Sequence, residues 1–295
     1  MTGLALYTAT ARRASAQVIR AYSTSFGLAS RLLPARMRGD IAAVYALVRV
    51  ADEIVDGPGV ESGLAAAECR GVLDALERAT ERALESGFSA DLVVHAFAET
   101  ARRVGIDASL TAPFFAAMRR DLEPVAFADE AELRAYVRGS AEVVGLMCVR
   151  CFQQGRMLGA AEQERVDRAA EALGRAFQIV NFLRDLGADG DALGRAYLPG
   201  VDPRRPSDEA VARVLDGLDA DLRTARSAIA LLPREAQPAV LAAHGLFAEL
   251  SRRIRAVPAA SLPHRRIRVP AAQKTAIVAR AAAAARAPAL ARGAR

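Results

Sequence analysis

Hydrophobic positions along this chain recur three and four residues apart almost throughout, the spacing of one buried stripe on each of a series of helices. No run alternates β-branched and polar residues as a strand would, so the fold class expected is all-α. The pattern predicts helices over residues 8–22, 61–85, 90–104, 130–154, 207–232 and 237–255. It predicts another around Ile41, Val44, Tyr45, Leu47 and Val48, and one around Phe114, Phe115, Met118 and Leu122 that stops at Pro124. A further helix carries Leu173, Phe177, Val180 and Leu183 and runs to about Ala188; a last, Ala/Arg-rich one is interrupted by Pro288. Pro34, Gly57-Pro58-Gly59 and Pro233 punctuate the series, and Asp129 with Glu132 has the form of a capping box.

Two polar patterns interrupt this apolar periodicity. On the helix ending near Ala188, Gln178, Asn181, Asp185 and Asp189 are spaced three, four and four, which puts them on one line of the helix. Asp52 and Asp56, also four apart, end the helix that carries Val44 and Val48. Carboxylates one turn apart share hard cations such as Mg²⁺, which bind through oxygen and keep water or phosphate as further ligands. One such pair is an ordinary solvated helix face as readily as a site. Two pairs, each closing a strongly apolar helix, suggest two metal platforms facing across a cavity and gripping a diphosphate.

These residues carry a family resemblance. Leu173-Gly174, Gln178, Asn181, Phe182, Arg184-Asp185, Asp189, Arg195, Tyr197 and Pro199 resemble the second signature of the squalene/phytoene synthase family, the trans-isoprenyl diphosphate head-to-head synthases. Ser25-Phe26, Leu32-Leu33-Pro34 and Arg49-Val50-Ala51-Asp52 resemble its N-terminal motif, with Glu53 where an Asp is frequent. Tyr136, Ala141, Val144 and Gly145 agree with its first signature, whereas Val137 and Glu142 stand where smaller residues are usual. The resemblance, from Ser23 to Lys274, implies an isoprenoid synthase fold with helices around a central active-site cavity. It implies Mg²⁺-dependent head-to-head condensation of two allylic isoprenoid diphosphates, with Mn²⁺ as the alternative ion. The phytoene branch, using two geranylgeranyl diphosphates and no NADPH, is the first reading. Squalene, dehydrosqualene or presqualene diphosphate synthesis from farnesyl diphosphate is the second, and a non-catalytic helical lipid-binding homologue the third.

In that scheme Asp52, Asp56, Asn181, Asp185 and Asp189 hold metal, and the four Asp together with Tyr136 are the catalytic candidates. Arg49, Gln178, Asn181, Arg184, Arg195, Tyr197 and Phe26 are the substrate-binding candidates. Phe26, Val137 and Glu142 are expected to set pocket depth. Gly139, Ser140, Ala141 and Gly145 thin one helix, either for a ligand or for close helix packing.

Composition narrows the rest. The 295 residues are 52% hydrophobic, enough for a large core. We expect one helical domain over 1–274 and a basic tail over 275–295. The net charge of +6 is segregated: from Ser251 onward there are eleven Arg or Lys and no acid. Such a tail suits an anionic membrane surface; no nucleic-acid module is recognisable. Three Cys, no secretory leader and no apolar run near ~20 residues point to a cytoplasmic protein, peripheral to membranes at most. Cys148 and Cys151 read as small apolar packers and His95 as structural.

Overall fold

The computed structural model describes residues 2–123, 127, 129–186 and 197–286. Among these the regular structure is helical, as the periodicity predicts. In chain order the helices are α1 (Gly3–Tyr22), α2 (Ser25–Ser30), α3 (Ala35–Asp56), α4 (Pro58–Glu61), α5 (Ala66–Ser86), α6 (Leu92–Val104) and α7 (Ala108–Arg120). There follow α8 (Glu130–Val137), α9 (Val143–Gln153), α10 (Ala160–Arg184), α11 (Asp208–Ala228), α12 (Gln237–Arg255) and α13 (Ala271–Arg286). A π-helical turn, Arg138–Glu142, joins α8 to α9. Side-chain oxygens of Asp91, Asp107, Asp129 and Ser207 accept from the first free N–H groups of α6, α7, α8 and α11. Gly57, at φ −149° and ψ −106°, ends α3, and Pro58 opens α4, where its missing N–H costs nothing. The helix expected over 61–85 is divided, because Gly63 turns through φ +89° between α4 and α5.

Helix directions follow from a few contacts. The backbones of α9 and α10 touch: a Cβ added at Gly145 would lie 2.5 Å from the Ala170 carbonyl oxygen, and one at Gly174 2.5 Å from that of Ala141. Rising numbers on one helix meet falling numbers on the other, so α9 and α10 are antiparallel. Near the start of α3, Asp40 accepts a 2.7 Å hydrogen bond from Gln154, just past the end of α9, so α3 and α9 are also antiparallel. Consequently α3 and α10 run the same way, and Asp52, Asp56 and Asp185 come to one end of the molecule.

The opposite end is held by charge. Asp40 is fully buried and accepts from Arg12, Arg103 and Gln154, which ties α1, α3, α6 and the end of α9 together. A buried carboxylate needs such compensation.

Two sequence expectations change. The helix expected to reach Ala188 stops at Arg184; Asp185 is its cap, at φ −104° and ψ 12°. Gln178 and Asn181 therefore lie on α10 and Asp185 just beyond it, while Asp189 and Arg195 lie outside the described residues. Second, α13 runs through the 274/275 boundary expected for the tail and packs on α12, where Ile277 fills the space over Gly245. No described helix is long and apolar enough to cross a membrane.

Candidate active site

Between α2, α3, α9, α10, α11 and α12 lies a cavity of about 340 Å³. Its wall on α10 reads Val166, Ala169, Ala170, Leu173, Gly174, Phe177, Gln178 and Asn181, the three-and-four spacing seen in the sequence. From Val166 to Asn181 the fifteen steps at ~1.5 Å rise make this wall about 22 Å long. On α3 the wall is Ile41, Val44, Tyr45 and Val48. Both walls are apolar low down and end in polar groups: Gln178 and Asn181 on α10, Tyr45 and then Arg49 and Asp52 on α3. The cavity is thus a long apolar barrel with a charged mouth.

At the mouth, Arg49 donates to Asp52 at 2.5 Å, is ion-paired with Glu53, and lies 4.6 Å from the Tyr22 ring centre. Its Nε is buried without a hydrogen-bond partner. Across the mouth, Arg184 Nε donates to both oxygens of Asp185 at 3.0 and 3.1 Å, and Arg266 Nε lies 2.9 Å from the same carboxylate. Each acid group therefore stands beside an arginine. Phe26 stacks on Tyr45 with ring centres 6.1 Å apart, and both line the cavity. Burial pushes the Tyr45 hydroxyl up, against the opposing pull of Arg49.

Tyr136 does not line the cavity. It is buried beside it, its hydroxyl donating to Asp121 at 2.8 and 2.9 Å. Burial, then the Asp121 charge, raises its pKa well above 10, so it is a neutral donor. Asp56 adds to that shift, which places α3's second acid near this phenol. Tyr197 stacks on Phe182 at 4.2 Å and 10°, and Tyr136 lies 6.3 Å from Phe182 and 5.8 Å from Tyr197. This aromatic cluster packs Tyr136 and Tyr197 against Phe182, near the end of α10.

The donor set suits a hard divalent cation. Asp52, Asp56 and Asp185 supply carboxylate oxygens and Asn181 an amide oxygen, with no thiol or imidazole at the mouth. Among the described residues no three acidic, His or Cys side chains form a ready-made cluster.

Two depth candidates are displaced. Val137 is buried in the core and Glu142 pairs with Arg175 on α10, which holds Asp221 of α11 at 2.7 and 2.8 Å; neither lines the cavity. For Val137 the cause is the π turn. Its extra residue rotates everything before it by about 100° relative to a continuous α-helix, off the face that Val144 and Cys148 present to the cavity. Glu142 directly precedes α9 and lies off the face of Val144 and Cys148 on an ordinary helix as well. Of the small residues, Gly139 and Gly145 answer to backbone packing against Pro113 and Ala170, while Ser140, Ala141 and Gly145 also line the cavity.

Sequence reading missed Asp121 and Arg266. Asp121 is fifteen residues from its phenol partner and Arg266 is 81 from Asp185, separations that no local spacing signals. His95 is structural, as read: it sits between Tyr7 and Phe88 and bonds Thr8, with burial lowering its pKa.

Comparison with known proteins agrees with this geometry. Residues 19–273 match the family model described as squalene/phytoene synthase. The 15-cis-phytoene synthase of a Paracoccus species is 29% identical over 82% of this chain and 81% of its own length. The phytoene synthase of Rhodobacter capsulatus is 30% identical over 79% and 70%. Phytoene synthase 3 of maize is 35% identical over 68% of this chain but only 45% of its own length. Among solved structures, a dehydrosqualene synthase superposes with a TM-score of 0.76 at 22% identity, covering 94% of this chain and 97% of its own. A squalene synthase from Alicyclobacillus acidocaldarius gives 0.67 at 22% identity, covering 84% and 96%.

Proposed function

Because the chain belongs to the squalene/phytoene synthase family and is, with it, an all-α prenyltransferase, we propose that it condenses two geranylgeranyl diphosphates head to head to phytoene. The observation that carries this reading is the apolar cavity, whose wall runs about 22 Å along α10 to Gln178 and Asn181, with Arg184 and Asp185 following on the same chain and Arg49 and Asp52 following the α3 wall. Such a shape takes a long prenyl chain tail-first and holds its diphosphate at the mouth.

Asp52, Asp56, Asn181 and Asp185 would hold divalent ions, for which magnesium is our choice. The chemistry such ions supply when bound is neutralisation of the departing diphosphate. Arg49, Arg184 and Arg266 add fixed positive charge at the same place, and bidentate guanidinium forks suit phosphate oxygens. Displacement of these arginines from their carboxylates by phosphate would free the acids for metal. As the C1–O bond breaks, its electron pair leaves with diphosphate and an allylic cation remains. The double bond of the second chain attacks that cation, and loss of a proton gives a cyclopropylcarbinyl diphosphate; departure of the second diphosphate with its electron pair, rearrangement and loss of a second proton then give phytoene. Water would quench each cation, and the apolar wall from Phe26 to Phe177 excludes it. Tyr136, neutral and held by Asp121, orients the mouth from behind.

Incubation of the protein with C20 or with C15 diphosphate and Mg²⁺, with and without NADPH, tests the reading by product identification. A C40 product from C20 substrate, without NADPH, is the result expected. A C30 product formed only from C15 substrate would move the protein to the squalene branch, and no diphosphate release from either would remove the catalytic reading. Attachment to anionic membranes through the basic C-terminal region belongs to the same proposal, since substrate and product are lipids.

A further inference from the structure

The active cavity lies against one face of α12, the face of Ala239, Val240, Ala243 and Phe247. A second hollow, of about 460 Å³, lies against another face, between α12 and α13 with the end of α11 on its flank. At ~100° per residue, Leu241, Gly245 and Ala248 point about a third of a turn away from the residues that line the active cavity. The two hollows are separated by α12 itself, and none of the residues assigned to the condensation lines the second.

Its floor is apolar and regular. Leu241, Gly245 and Ala248 on α12 are spaced four and three, and so are Ile277, Ala281 and Ala284 on α13. The two helices are antiparallel, since Arg253 donates to Gln273 while Gly245 meets Ile277. From Leu241 to Ala248 the floor is about 10 Å long. Leu241 and Ile277 are only half-buried, so the trough offers apolar surface to a ligand.

Charge along its rim is uneven. At one end Arg252 is committed: it bonds both oxygens of Glu249 at 2.8 and 2.7 Å, and Arg253 takes the same carboxylate. At the other end Arg226 and Arg280 line the hollow, and neither has an acid partner among the described residues. Arg280 precedes Ala281, which packs with Ala242 and Ala243. Arg226 stands near enough to His244 to lower its pKa, after the larger effect of burial. Both guanidiniums therefore come to the Leu241–His244 end, one from the α11 side and one from the α13 side.

We propose that this groove binds an anionic phospholipid, its phosphate taken by Arg226 and Arg280 and one acyl chain laid along the apolar floor. A free inorganic anion would leave the floor unused, and a neutral hydrocarbon would leave the two guanidiniums uncovered. Guanidinium forks suit phosphate oxygens, and the floor gains by shedding water. The role of such a site rests on the lipid chemistry proposed above: it holds α12 and α13 at the membrane that carries substrate and product.

The test is calorimetry with dihexanoyl phosphatidylglycerol below its micelle concentration, so that single molecules bind and no surface forms. No Mg²⁺ or prenyl diphosphate is present. Dihexanoyl phosphatidylcholine has the same chains without net charge, and inorganic phosphate has the charge without chains; each should bind about tenfold more weakly or worse. Arg226 is the discriminating residue, because it lies outside the basic stretch after Ser251. Arg226→Gln should lose about tenfold in affinity, and Ala248→Asp, which sets a carboxylate on the floor, at least as much. Arg49→Gln, at the active-site mouth, and Arg265→Gln, in the basic stretch but outside the groove, should bind as wild type does. Tm measured on each variant checks that the helices still pack. Unaltered binding by Arg226→Gln would overturn the proposal, as would a loss in Arg49→Gln, which would put the lipid in the active cavity. Equal affinity for inorganic phosphate would reduce the groove to an anion site and overturn the lipid assignment. If wild type binds the lipid here yet releases no diphosphate from C20 or C15 substrate, the condensation falls and the groove stands.

Discussion

Asp52 and Asp185 are each paired with an arginine, so their value cannot be read from exposure alone. Both pairs are partly exposed and in contact with solvent, where ion pairs contribute only about 0–1 kcal/mol to stability. Replacing either Asp by Asn keeps shape and removes charge. We therefore expect Asp52→Asn and Asp185→Asn to keep the helical circular dichroism spectrum and a Tm near wild type, while turnover falls by about 10²-fold or more. Near-normal turnover in both would remove the metal assignment. Cys148 gives a second residue-scale prediction. It lines the cavity as a thiol, and burial pushes its pKa up to about 12. The reactive thiolate is therefore scarce at neutral pH. Alkylation of Cys148 by iodoacetamide, followed by mass spectrometry, should stay slow in the folded protein to beyond pH 9; rapid labelling at pH 8 would contradict this environment. At this scale the sequence was legible where chemistry is local. Gln178 and Asn181, which the helical spacing singled out, and Phe26, which the family resemblance singled out, all lie along the cavity, whereas Asp121 and Arg266 reach their partners only through the tertiary fold.

The element that decides most is the helix pair α9–α10. Its glycines let two backbones approach: a Cβ at Gly174 or Gly145 would sit 2.5 Å from a carbonyl oxygen, closer than packing tolerates. The sequence showed that this stretch is thinned; what it hid is the π turn, because one extra residue in a helix leaves no mark in a three-and-four pattern. That is why Val137, a sensible depth candidate on an ideal helix, belongs to the core; Glu142, beside the cavity face on any helix, belongs to an ion network with Arg175 and Asp221. The likewise hidden end of α10 at Arg184 moves Asp185 from a helix face to a cap. The far end of the cavity is lined by Val166 and Ala169 at the start of the α10 wall and by Val149 and Phe152 towards the end of α9, and we propose that depth is set there. A bulky side chain there shortens the barrel without touching the mouth. Ala169→Leu should cut turnover of the C20 substrate at least tenfold relative to C15, leaving the Mg²⁺ dependence as in wild type. Loss of both substrates in parallel would place Ala169 elsewhere than the floor. Some stability is lost as well, about 1–3 kcal/mol if the core must shift to fit the larger group.

At the scale of the whole molecule the question is where the positive charge goes. In the sequence the eleven basic residues beyond Ser251 read as one cationic stretch. In the fold a good part of them is engaged: Arg252 and Arg253 pair with Glu249, Arg255 with Asp216 and Asp219, and Arg266 with Asp185. Arg265, Arg268 and Arg280 are exposed. Deleting everything from 275 is a poor test of membrane attachment, because it removes most of α13 and uncovers the α12 face around Gly245. The combined variant Arg265→Gln, Arg268→Gln, Arg280→Gln removes charge and keeps the helix. Each arginine near an anionic surface is worth about 1 kcal/mol, so the triple variant should bind phosphatidylserine-containing vesicles on the order of a hundredfold less tightly at low salt. The difference should shrink as ionic strength rises and the Debye length contracts. Cosedimentation with vesicles, with and without the anionic lipid, measures this directly. Equal binding by wild type and variant at low salt would assign any attachment to another face, and Tm alongside would confirm that α13 still packs.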